Sequence, residues 1–127
     1  MQDRKIEVFT EDDELIVNRL RAIGMTRKSA KVITYLMLRT SGSARDIEIT
    51  TNLRQPEVSI GLKELSTWMK TELSSRPESK RPVTIYSMAV PVTDVITHYF
   101  RAACKNWDVV SAAYRSLVDV DAKISVK

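Results

Sequence analysis

Pro56 constrains this chain most, because proline donates no backbone hydrogen bond and is tolerated in a helix only within its first turn. Downstream of it Val58, Leu62, Leu65 and Met69 recur at helical spacing, so a helix has to begin close to Gln55 or Pro56. Upstream, Ser43 and Asp46 stand at the spacing of a capping box, and Ala44, Ile47 and Ile49 give a short helix, about 44 to 51, its inward side. Only Asn52, Leu53 and Arg54 remain between the two helices. A short turn with an apolar residue at its centre is the spacing of a helix-turn-helix.

The surrounding elements follow from the same periodicities. Thr10 and Asp13 cap a first helix of about 11 to 23, in which Leu15, Ile16, Leu20 and Ile23 recur until Gly24 offers a left-handed terminator. Thr26 caps a second helix, about 27 to 39, with Ala30, Ile33, Tyr35, Leu36 and Met37 inward before Thr40, Ser41 and Gly42 interrupt it. Beyond Met69 the period falls towards two. Thr71, Leu73 and Ser75 form one strand, Val83, Ile85, Tyr86 and Met88 the return strand, and the polar tip between them is basic. Pro91 then opens a last helix, about 92 to 120, with Ile96, Ala103, Val110 and Leu117 at intervals of seven and Phe100, Trp107 and Tyr114 displaced by four. The expected fold is mainly α with a small β-hairpin: a winged helix-turn-helix over residues 1–90, then a dimerisation helix and tail over 91–127.

At 127 residues, with 43% hydrophobic and 28% charged, the chain has the makings of one soluble globular domain. No stretch approaches the roughly 18 apolar residues of a membrane span, and the N-terminus, MQDRKIEVFTEDD, lacks a signal-peptide profile, so a cytoplasmic location is expected. One cysteine, Cys104, and one histidine, His98, give no basis for a disulfide or a zinc site, and Cys104 reads as a small buried hydrophobe. Gly24, Gly42 and Gly61 are too dispersed for a phosphate loop, and no nucleophile has a histidine arranged beside it. An enzyme is not expected, nor are a metal or a cofactor.

The charges are unevenly spread. Residues 1–18 sum to −4, whereas 19–45 carry Arg19, Arg21, Arg27, Lys28, Lys31, Arg39 and Arg45 with no acid, and 46–90 balance six against six. Unopposed cations gathered on one face are the footprint of a polyanion binder.

From Gly24 to Met88 the sequence resembles the DNA-binding domain of TrmB-type transcriptional regulators, and less closely MarR-type and ArsR-type winged helices. The resemblance rests on Gly24-Met25-Thr26 leading into Ser29-Ala30-Lys31-Val32, on Ala44-Arg45-Asp46-Ile47, and on Thr51-Asn52-Leu53 followed by Val58 and Leu62-Lys63-Glu64-Leu65. It implies a regulator that binds double-stranded DNA. Many such regulators carry a large effector domain after the wing; here one helix stands in that place, so sugar sensing is not carried over.

If the helix after the turn enters a major groove, Gln55, Glu57, Ser59 and Lys63 are the expected base-reading residues, with Ile60 placed for a thymine methyl. Lys28, Lys31, Arg45, Thr51, Arg54, Lys80 and Arg81 are the expected phosphate contacts. Glu57 and Glu64 suit this only if they point aside. Ile96, Phe100, Ala103, Trp107, Val110, Tyr114 and Leu117 are the expected homodimer interface, which sets two reading helices about 34 Å apart on a palindrome. The rival is a winged helix that docks on a protein in a transcription or chromatin assembly; a continuous cationic face separates the two. A third reading places a small ligand against Tyr99, Trp107 or Tyr114.

Overall fold

The computed structural model describes residues 8–75 and 81–125. Its elements are α1 (Glu11–Ala22), α2 (Arg27–Arg39), β1 (Ser41–Ser43), α3 (Ala44–Thr51), α4 (Gln55–Glu64), a 3-10 turn (Ser66–Trp68), β2 (Met69–Ser74), β3 (Val83–Met88) and α5 (Val92–Ser125). This is a winged helix-turn-helix, mainly α, with a small antiparallel sheet and a long C-terminal helix.

Helix starts are set locally. The Asp13 N–H donates to Thr10 Oγ1 at 3.2 Å while the Thr10 N–H donates to Asp13 Oδ2 at 2.9 Å. Ser43 and Asp46 repeat this reciprocal pair at 3.1 and 3.0 Å, and Thr26 Oγ1 accepts from the Ser29 N–H at 3.2 Å. Each satisfies donors that a helix N-terminus otherwise leaves orphaned. Gly24, at φ 109°, and Asn52, at φ 59°, turn the chain after α1 and α3. Leu53, at the centre of the three-residue turn, is buried.

The sheet runs β1-β3-β2, with β2 and β3 registered from Met69 opposite Met88 to Ser74 opposite Val83. β1 is not anticipated by the sequence: Ser-Gly-Ser has no strand propensity and reads as a break. It is a strand because β3 pairs with it, Gly42 lying opposite Tyr86. The Tyr35 hydroxyl donates to the Ser41 carbonyl, and any side chain at residue 42 would overlap the Tyr35 ring. The hairpin tip, including Lys80, lies outside the described residues.

The core joins α1, α2, α3 and α4 through Val17, Leu20, Ile33, Ile47, Val58 and Leu65, all buried. Gly61 is the point of closest approach between α2 and α4, since a Cβ there would stand 2.8 Å from Val32 Cγ2 and 2.9 Å from the Lys28 carbonyl oxygen. A glycine costs a helix about 0.5–1 kcal/mol relative to alanine. Its place here is explained by packing.

α5 has 34 residues and is about 51 Å long. Its first turns lie on the core: Val95 is fully buried, and Val92, Ile96 and Tyr99 pack against the same cluster. Ile96, expected at an interface between copies, thus belongs to the protomer's own core, because the apolar stripe begins by covering the winged body. Trp68 fastens this junction, with its ring centroid 5.1 Å from that of His98 and 6.0 Å from that of Tyr99. Among the described residues, no helix is long and apolar enough to cross a membrane.

Candidate nucleic-acid interface

α4 presents Gln55, Ser59, Ile60 and Lys63 to solvent, with Ile60 45% exposed. The acids of this helix are turned back towards α2. Glu57 Oε1 accepts from the Arg54 N–H at 3.0 Å, closing the first turn, and its other oxygen is 3.7 Å from Arg27 Nη1. That backbone N–H, then the charges of Arg27, Lys28 and Arg54, hold the Glu57 carboxyl below the usual carboxylate range. Glu64 Oε1 accepts from Thr26 Oγ1 at 3.0 Å. Glu57 therefore departs from its expected base-reading place, because its carboxylate caps its own helix.

The cations divide. Arg27, Lys28 and Arg54 converge on Glu57 at the first turn of α4, with Arg27 and Arg54 exposed and Lys28 half-buried. Arg45 is exposed in the first turn of α3, and Arg81 is exposed ahead of β3. Arg39 closes the other end of α2, about 18 Å from Arg27 along the helix. The run of seven therefore does not form one patch.

Lys31 and Thr51 take places quite different from the expected phosphate contacts. Lys31 is 5% exposed; its Nζ donates to the Thr51 carbonyl oxygen at 3.0 Å and lies 3.6 Å from Glu14 Oε1. It is a cation set on the C-terminus of α3, where the helix dipole favours it, and it ties α1, α2 and α3 together. Thr51 is 1% exposed, with its hydroxyl donating to the Ile47 carbonyl and accepting from the Leu53 N–H. Both hold the helix-turn-helix in shape from inside. Sequence periodicity missed this because Lys31 and its acceptor are 20 residues apart.

Arg27 is the residue that the sequence reading left out of the site. Its signal was available: two cations at the start of α2, with no acid in that turn, oppose the helix dipole. Cations kept where the fold disfavours them call for a second reason.

Beyond Tyr99, α5 leaves the body. Phe100, Trp107, Val110, Tyr114 and Leu117 are exposed, and Ala103 is half-buried. Cys104 is exposed as well, not buried as expected, because the part of α5 that carries it has left the core. Among the described residues no group of three or more His, Cys, Asp or Glu is placed to hold a metal.

No family model matches the chain. No curated protein matches it either. A solved structure described as that of a transcriptional regulator superposes with a TM-score of 0.51 over 84% of this chain and 74% of its own, at 14% identity. That likeness is one of fold.

Proposed function

We propose that the protein is a homodimeric, sequence-specific double-stranded DNA-binding transcriptional regulator of TrmB-like type. α4 reads bases through Gln55, Ser59, Ile60 and Lys63, and Arg27, Lys28, Arg45, Arg54, Arg81 and the basic wing tip hold phosphates. The observation that carries this is the clearing of acids from the outward face of α4. Glu57 and Glu64, the two negative charges of that helix, are spent on α4's own first turn and on the cap of α2. What faces outward is one glutamine, one serine, one isoleucine and one lysine, ringed at its start by Arg27, Lys28 and Arg54. Glutamine suits adenine, lysine suits guanine acceptors, and isoleucine suits the thymine methyl.

Dimerisation follows from the exposed apolar stripe of α5, too large to leave in water on a monomer. The absence of that stripe from the protomer's core removes the alternative in which Phe100, Trp107 and Tyr114 cover the first helix.

The test is fluorescence anisotropy with labelled duplexes across a salt series, with an Arg54→Ala, Arg81→Ala double variant alongside. Binding that weakens steeply with salt, with a slope shallower by about 1.8 in the variant, is the expected result for two lost phosphate contacts. No binding at low salt would turn the reading to a protein-docking winged helix.

A further inference from the structure

One stripe of α5 has two parts. Val92, Val95, Ile96 and Tyr99 are covered by the protomer's own core, and the same stripe continues through Phe100, Trp107, Val110, Tyr114, Leu117 and Ile124, each at least 50% exposed. The uncovered part spans about 36 Å.

We infer that this part is covered by α5 of a second copy running antiparallel, with the two-fold axis beside Ala112. The inference rests on the dimer reading above and gives it a geometry. Three observations select it. Counting outward from residue 112, Val110 falls opposite Tyr114, Trp107 opposite Leu117 and Phe100 opposite Ile124, so each contact sets an aromatic ring on an aliphatic side chain. Ile124 is the last large apolar residue of the stripe and Phe100 the first uncovered one, so the overlap uses the exposed length in full.

Asp121 is the second observation. It lies on the stripe, four residues after Leu117 and three before Ile124. In a parallel, in-register pair each Asp121 would face its own copy in an apolar seam, a like-charge contact that burial makes costlier. The antiparallel pair sets the two carboxylates about 27 Å apart along the axis, each opposite an alanine, Ala103.

The third is the position of the body. Because the first turns of the stripe are occupied by the protomer's own helices, a parallel pair brings two bodies onto the facing sides of two helices at the same end. Antiparallel pairing sends them to opposite ends. The starts of the two α5 helices are then about 60 Å apart along the axis. Reading helices so separated do not fit half-sites one turn apart, at about 34 Å, and fit sites two turns apart or on two duplexes.

Distances between spin labels decide it without DNA, so loss of DNA binding leaves the inference standing and failure of pairing is seen separately. The exposed Cys104 takes one nitroxide as the protein stands; a second sample carries Lys123→Cys in a Cys104→Ala background, at another exposed position. The expected result is a dimer by sedimentation, with label separations growing from about 24 Å along the axis at residue 104 to about 33 Å at residue 123. Two equal separations under about 20 Å would show parallel helices and overturn the geometry alone. A monomer at the labelling concentration would overturn the dimer reading with it.

Discussion

In the winged body, helix ends are answered by other elements, whereas beyond Tyr99 the long helix answers only to itself. Lys31 leaves α2 to cap α3 and meet Glu14 of α1, and Thr26 on α2 receives Glu64 from α4. Along the far part of α5 the Ser111 hydroxyl bonds the Asp108 carbonyl of the same helix, and the large apolar residues face water. The body's stability is thus internal to one chain, and that of the distal helix is tied to a second copy. Denaturation of the body should be independent of protein concentration; loss of the helix pairing should not be.

Substitutions sharpen this contrast. The largest effect is expected at Gly61→Val, where even the Cβ meets a backbone carbonyl; about 3 kcal/mol of body stability should be lost in urea unfolding, despite a better helix former. A variant as stable as wild type would show that α2 and α4 are not locked at this point. Lys31→Met keeps the volume and leaves the Thr51 carbonyl without its donor, so about 1–3 kcal/mol should go while the affinity for DNA of the folded fraction is unchanged. Lower affinity at equal folding would return Lys31 to the phosphates.

Glu57→Gln has a smaller effect with a defined pH dependence. The native carboxyl titrates below its ordinary value, so the stability it confers is complete above that value and is lost as pH falls through the native one. Wild type and variant should therefore differ at neutral pH and converge in acid, as measured by Trp68 fluorescence. The smallest effect on the body is expected from Trp107→Lys with Leu117→Lys, within about 0.5 kcal/mol because both residues are exposed. The same variant should sediment as a monomer. With Trp107 gone, Trp68 is the sole tryptophan and reports on the body directly.

What the sequence made legible was whatever one helix turn decides. Thr10 with Asp13, Ser43 with Asp46, and Pro56 at the start of α4 are local devices, and the helix-turn-helix stands where they put it. Where a residue's role is set by a distant partner, the pattern misled or was silent. Lys31 looks like any other cation of a basic run until Thr51 lies beneath it, and Glu57 looks like a reading residue until its carboxylate folds back on Arg54. Gly61 reads as a flaw in a helix and proves to be the space that another helix needs. Of the candidate site, the outward face of α4 was visible from spacing alone. The withdrawal of Lys31 and Thr51, and the arrival of Arg27, needed the third dimension.

The joint at Trp68, His98 and Tyr99 has a mechanical consequence. It couples the turn that ends α4 to a rod whose free part, from Tyr99 to Ser125, is about 39 Å long. A rod held at one end magnifies rotation: tilting it by about 5° at the joint carries its tip some 3 Å, roughly the rise of one base pair. Whatever grips the far end of α5 therefore has leverage on the pose of α4, and a side-chain adjustment at three stacked rings is enough to change which base steps the reading helix meets.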